Sequence, residues 1–129
     1  MASRVFVLPK KHRLVKSVDF RRVNKEGESW AERAIVLRKV PNGLPYSRFG
    51  FSVSHHIGKA VTRNRAKRLM REVVRLHCDL ISPGWDVVFI ARKGIAGLDY
   101  WAVERAITQL LRSAGLFRSQ TGAAGGQVE

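Results

Sequence analysis

Acidic side chains are scarce in this chain: ten Asp and Glu stand against 24 Lys and Arg in 129 residues, a formal net charge of +14. A hydrolase working through carboxylates needs two of them converging on a metal or forming an acid/base pair. The acids here are scattered, and no HExxH, paired-Asp, Gly-rich phosphate-loop or nucleophile-elbow pattern occurs. Asp86 opens an apolar run and Asp99 precedes an amphipathic segment, so both read as structural. The single cysteine, Cys78, excludes an internal disulfide and a thiolate-only metal site, and suits a reducing compartment. Long hydrophobic runs are missing too. The opening MASRVFVLPKKHR holds four consecutive apolar residues, Val5 to Leu8, too few for a secretory h-region. Nothing approaches the roughly 18 apolar residues of a spanning helix. These absences predict a soluble, cytoplasmic protein without a membrane partner.

What is present is concentrated positive charge. Between Lys59 and His77 stand seven basic residues (Lys59, Arg63, Arg65, Lys67, Arg68, Arg71, Arg75) and one acid, Glu72. At helical spacing Arg63, Asn64, Lys67, Arg68, Arg71 and Arg75 fall on an arc of roughly 140°. Ala66, Leu69, Met70, Val73 and Leu76 gather opposite, giving one face for a core and one for a polyanion. Sixteen of the 24 basic residues are Arg, the side chain suited to bidentate phosphate contacts. No Trp or Phe lies in this helix to enter lipid, which disfavours a membrane surface. Nucleic acid is the better reading, and RNA is preferred because no DNA-reading module is recognisable. The bland alternative is a solvated face.

Residues 1–16 carry five basic groups and no acid and predict a mobile or extended basic arm, followed by a single domain over 17–118. Ser17 is a candidate N-cap for a short helix over 18–25, with Gly27 as a left-handed exit. Residues 34–40 (AIVLRKV) predict a strand, and Pro41-Asn42-Gly43 a turn. Over 48–54, Phe49, Phe51 and Val53 alternate with Gly50, Ser52 and Ser54, a second strand that would form a hairpin with the first. Its Gly/Ser face invites close approach, by a helix or by something else. The run 85–91 (WDVVFIA) predicts a central strand buried on both sides. Asp99 would cap a last helix with the stripe Val103, Ala106, Ile107, Leu110 and Leu111, ended by Gly115, and 119–129 lacks a core pattern and predicts a disordered tail. The sum is an α+β fold, a two-layer α-β sandwich with a small sheet and element order α-β-β-α-β-α.

His55-His56 is the one pair that could act as acid and base on an RNA 2′-hydroxyl, with Lys59 stabilising charge. Adjacent residues of an extended segment point to opposite sides, which argues against joint action and leaves polar loop residues or RNA contacts. His12 and His77 read as structural. Phe20 is either a core plug or a stacking platform for a single-stranded base.

At RFGFSVSHHIGKAVTRNRAKRLMRE the chain resembles the protein subunit of bacterial ribonuclease P. The family pattern is approximately R-x-G-x-S-V-S, two basic residues, hydrophobic-G-x-A-V-x-R-N-R-x-K-R-x-x-R-E. Arg48, Gly50, Ser52, Val53, Ser54, Gly58, Arg63-Asn64-Arg65 and Lys67-Arg68 match it, with Arg13-Leu14, Asp19-Phe20, Gly27 and DVVFIAR (86–92) in the flanks. The resemblance implies a ribonucleoprotein that removes 5′ leaders from precursor tRNA, in which the catalytic RNA subunit carries the active site and most of the bound Mg²⁺. It implies no obligate protein partner, and a left-handed β-α-β crossover around the RNR helix. Carried over, Arg63, Asn64, Arg65, Lys67, Arg68 and Arg71 would face the RNA subunit. Arg13, Lys16, Phe20, Ser52, Ser54 and His56 would border the leader.

The chain departs from that pattern where His55 and His56 replace two Lys or Arg, where Asn24 replaces an aromatic one turn after Phe20, and where Arg38 replaces a strand aromatic. Imidazoles carry less charge at neutral pH than Lys or Arg, so leader affinity is expected to be weaker or pH-sensitive. Two other classes stay open from the residues alone: a general RNA-binding or ribosome-associated protein, and a protein-only ribonuclease.

Overall fold

A computed structural model describes residues 8–118. Its main elements are α1 (Ser17–Glu26), β1 (Glu28–Ala31), β2 (Ile35–Pro41), β3 (Arg48–Ser52), α2 (Ala60–His77), β4 (Trp85–Ala91) and α3 (Tyr100–Ser113). The α+β class expected from the sequence is what the chain adopts. The expected tail at 119–129 lies outside the described residues, as does Arg4 of the basic arm.

The four strands form one sheet in the order β1-β2-β4-β3. β4 is central, as its unbroken apolar run predicts, and Val87, Val88 and Phe89 are fully buried. The expected hairpin between β2 and β3 does not form. β2 instead pairs antiparallel with β4 along its whole length, from Ile35↔Ala91 to Pro41↔Trp85. β3 lies on β4's other side, parallel to it, so α2 is the crossover between two parallel strands. The physical reason is burial: a strand apolar on both faces is worth more at the centre of the sheet than at an edge. The predicted order also lacks β1, a short strand paired antiparallel with β2 from Glu28↔Lys39 to Ala31↔Val36. The segment ESWA has no β-branched residue, so local propensity is silent and tertiary pairing makes the strand.

The larger core lies between the sheet and the pair α2 and α3. Leu37, Phe49 and Phe89 meet Met70, Val73 and Val74 of α2 and Val103, Ile107, Leu110 and Leu111 of α3. Val74 takes a core place that the helical arc had given to Leu76, which is 55% exposed. The opposite sheet face is covered by α1 through Val23 and Phe20 on Val40, Val88 and Leu14. The described part of the basic arm is held down and not wholly extended: Lys10–His12 form a 3-10 turn, Leu8 and Leu14 are buried, Arg13 bridges Phe49, and the Leu14 N–H donates to the Phe49 carbonyl at 2.8 Å.

Asp99 caps α3 as predicted, its carboxylate accepting from the Ala102 N–H at 2.9 Å. Ser17 does not cap α1. It is the first helical residue, and Lys16 stands at the cap without a side-chain bond. Gly27 is extended (φ −76°, ψ 148°) rather than left-handed. Its requirement is space, since a Cβ there would lie 2.5 Å from the Val23 carbonyl oxygen.

Two neighbouring cations on β2 reach opposite faces of the sheet. Arg38 donates to the Asn24 carbonyl at 2.6 Å, in the last turn of α1. Lys39 donates to the Ala114 carbonyl at the C-cap of α3 at 2.8 Å, with its ammonium 3.8 Å from the Trp85 ring centroid. Each places positive charge at the negative end of a helix dipole. Lys39 is 8% exposed, and burial lowers its pKa from the usual 10.5, partly countered by Glu28.

Candidate nucleic-acid interface

α2 forms because its apolar positions recur at helical spacing against the core, which leaves its charged arc outward. Asn64, Arg65 and Arg68 are exposed, while Arg63, Lys67 and Arg71 are half-buried. The helix's one acid is taken: Glu72 pairs with Arg75 one turn on. Arg65, Lys67 and Arg68 therefore have no ion-pair partner among the described residues. The helix start carries no acid, so its dipole adds to the same positive field.

His55, His56 and Ile57 form a single 3-10 turn ahead of α2, not the extended loop expected. Ser54 closes that turn by accepting from the His56 N–H at 3.3 Å. His55 Nδ1 lies 3.4 Å from an Arg63 guanidinium nitrogen, and the His56 side chain is exposed. The turn brings both imidazoles to one end of α2, where they extend its polar surface.

A second feature opens at the free side of β3, the edge strand. A cleft of about 250 Å³ is lined by Arg13, Val15, Phe20, Phe51, Lys67 and Arg71, among others. Phe20 lies directly on Gly50, where a Cβ would sit 2.5 Å from the ring. The glycine in the Gly/Ser face is thus the seat of an aromatic from α1, and Phe20 serves as both packing group and cleft wall. The Arg71 guanidinium carbon is 5.9 Å from the Phe51 ring centroid. Of the residues assigned to the leader, Arg13 and Phe20 line this cleft; Lys16, Ser52, Ser54 and His56 do not. Lys67 and Arg71, assigned to the RNA subunit, do line it, so the two predicted sets meet along α2. Arg13 is braced by donating to the Leu8 carbonyl at 2.7 Å.

The group that fixes α1, and Phe20 with it, is a buried carboxylate. Asp86 is 0% exposed and accepts from Arg48 (2.9 and 2.7 Å), Arg22 (2.5 Å) and Asn42 (3.0 Å). Asp19 of α1 adds a contact to Arg48 at 3.7 Å. The hydrogen bond to Asp86 holds the Arg48 guanidinium above its usual pKa. The motif residue Arg48 is thereby a structural cation. Sequence reasoning gave Asp86 a structural role without naming these partners; a lone carboxylate in a strand buried on both sides is the signal that demands them.

His12 and His77 are structural as expected, with Nδ1 of each 2.8 Å from the Ser47 and Val73 carbonyls respectively. Burial pushes the Cys78 thiol above its usual pKa, the opposite of a reactive thiolate. Among the described residues no three His, Cys, Asp or Glu converge as a group that could hold a metal ion. No described helix is long and apolar enough to cross a membrane.

Comparison with known proteins bears on this surface. The family model for ribonuclease P matches residues 8–115. The ribonuclease P protein component of Caldanaerobacter subterraneus subsp. tengcongensis is 43% identical over 108 residues, covering 84% of this chain and 93% of that one. That of Clostridium botulinum is 41% identical over 109 residues, covering 84% and 98%. Among solved structures, the Staphylococcus aureus ribonuclease P protein superposes with a TM-score of 0.77 at 32% identity, covering 83% of this chain and 98% of that one. The Thermotoga maritima protein gives 0.73 at 36%, covering 78% and 96%. The chain belongs to the ribonuclease P protein family, the protein component of a tRNA-processing endoribonuclease.

Proposed function

We propose that this chain binds the catalytic RNA of ribonuclease P and the single-stranded 5′ leader of precursor tRNA, and thereby promotes 5′-end maturation. Arg63, Asn64, Arg65 and Arg68 take phosphates of the RNA subunit. Lys67 and Arg71 stand where that surface turns into the cleft, and there they take the first leader phosphates. Phe20, seated on Gly50, offers the aromatic wall against which a leader base stacks. Arg13, Lys16, Ser52, Ser54 and His56 surround that path. The observation that carries this reading is a run of unneutralised cations passing without an intervening acid from the outer arc of α2 into a cleft walled by an aromatic ring.

Bond cleavage belongs to the RNA in this reading, and Mg²⁺ supplies charge neutralisation and water activation there. The chain's contribution is to screen repulsion between two polyanions and to hold the leader, so that precursor binds better than mature tRNA. The protein works where tRNA precursors are made, in the cytoplasm. Affinity falls with salt by about 0.7 to 0.9 logarithmic units per tenfold change for each phosphate contacted.

The deciding experiment is cleavage of precursor tRNA at low Mg²⁺ by purified protein, with and without the partner RNA. Cleavage only with RNA, stimulated by the protein, is the expected result. Cleavage by the protein alone, lost on changing His55 or His56, would establish the protein-only ribonuclease instead. Binding without stimulation would leave a general RNA-binding protein.

A further inference from the structure

The cations of α2 do not exhaust the exposed basic surface. On the α3 side, between α3 and the connection from β1 to β2, lies a groove of about 660 Å³ lined by Arg33, Ala34, Leu98, Ala102, Arg105 and Ala106, among others. Leu98, Ala102 and Ala106 present it with an apolar strip. Arg33 and Arg105 are exposed, and neither has an ion-pair partner among the described residues. Trp101 stands one turn before Arg105 on the same helix face, 64% exposed, its ring held edge-on to Tyr100 with centroids 5.1 Å apart. The acids nearby are few and two are engaged: Asp99 caps the Ala102 N–H, and Glu104 lies 3.3 Å from His77. Among the described residues, Glu32 is the one carboxylate lining the groove.

Trp101 is outside the groove's lining but one helical turn from Arg105. The groove and the helix face next to it together offer a ring for a base and two cations for the backbone, the combination that binds single strands. We propose that this groove, with the adjoining face of α3, is a second, separate contact surface for single-stranded RNA, Arg33 and Arg105 taking phosphates in the groove and Trp101 stacking a base at its border. The proposal rests on the reading of the chain as an RNA-binding subunit and adds a site on α3. An extended strand leaving the cleft by β3 and a strand lying in this groove would touch different helices, so the two surfaces titrate separately.

The full chain is titrated with a single-stranded oligoribonucleotide while tryptophan fluorescence is recorded at several salt concentrations. Quenching is expected in the wild type and is lost in Trp101→Phe, because Trp30 and Trp85 are half-buried around Lys39. Trp101→Ala weakens oligonucleotide binding about 5-fold or more. Arg33→Glu with Arg105→Glu lowers the log–log salt slope by about 1.4, two contacts at roughly 0.7 each. Circular dichroism and assembly with the RNA subunit stay at wild-type levels in these variants. An unchanged slope with Trp101 unquenched overturns the proposal, as does concentration-dependent burial of Trp101 without RNA, which would make the groove a contact between two copies of the chain. Arg65→Glu with Arg68→Glu is the control for the parent reading. Loss of assembly there, with no effect of the α3 variants, rejects this inference alone; no effect of either pair rejects both.

Discussion

Arg48 and Arg68 lie twenty positions apart in one motif-bearing stretch and look alike in the sequence, yet they belong to two different kinds of basic region. Arg48 meets Asp86 through two hydrogen bonds, and with Arg22 and Asn42 it closes a polar knot joining β3, β4, α1 and the turn after β2. Arg68 meets no acid among the described residues and is exposed near Arg65 on α2. The same contrast separates Arg38 and Lys39, spent on helix C-termini, from Lys67, which borders an open cleft. Net charge alone therefore overstates the surface available to RNA. Partners, not counts, separate cations that hold the fold from cations left for phosphates.

Removing the acid of the knot tests the first region. Asp86→Ala leaves two guanidiniums facing each other and should cost about 3 kcal/mol, the low end for a broken buried pair, because Arg22 and Arg48 keep 30% and 24% exposure. The measurement is urea denaturation, and wild-type stability would dissolve the distinction between the regions. Arg65→Glu with Arg68→Glu is the mirror test: the unfolding free energy from urea denaturation stays within about 0.5 kcal/mol of wild type, while affinity for the RNA subunit and its salt slope drop together. A destabilised protein with unchanged RNA affinity would reverse the assignment.

The seat of Phe20 is tested by Gly50→Ala, where the new methyl must displace the ring. Overpacking of this kind costs about 1 to 3 kcal/mol, and binding of precursor tRNA is expected to weaken more than binding of mature tRNA. Equal losses would make Phe20 a packing group only.

The smallest effect concerns Lys39. Its folded pKa is lowered, so between that value and 10.5 the unfolded chain holds the extra proton, and stability rises with pH through that window. Below the window the cost of burying the ammonium is present in full; above it the cost is gone. Cys78 and Tyr100, whose pKa values burial raises, bend the curve the other way. The difference between wild type and Lys39→Met isolates the Lys39 contribution, and superposable pH profiles would count against it.

The central strand was legible as an unbroken apolar run, and the amphipathic helices and the basic arc as periodic patterns, each within one segment. Strand order was not. Whether β2 pairs with β3 or with β4 depends on burial summed over the whole sheet, and the turn-like residues 41–43 misleadingly suggested a hairpin. β1 was invisible because ESWA takes its conformation from β2 rather than from its own composition. The candidate surface was legible as residue types on α2. The cleft was legible only through the family resemblance, which set Arg13 and Phe20 beside the leader; residue patterns alone do not show it, since it needs Phe20 on Gly50 across 30 positions of chain. The pairing of Arg22 and Arg48 with Asp86 was not legible, nor was the tie of Arg38 to the Asn24 and Gly27 carbonyls, because partnership is a property of space.

The adjacent cations of β2 carry one more consequence. Because side chains of a strand alternate between faces, sliding β2 by a single residue against β4 would turn Arg38 toward α3 and Lys39 toward α1. The long guanidinium would then meet the narrow slot between Trp30 and Trp85, and the shorter amine would fall away from the carbonyls of Asn24 and Gly27. Both helix ends would exchange a fitted hydrogen-bond donor for a misfitted one in the same step. Two consecutive letters of sequence thus act as a check on sheet alignment, penalising the misaligned pairing from above and below at once.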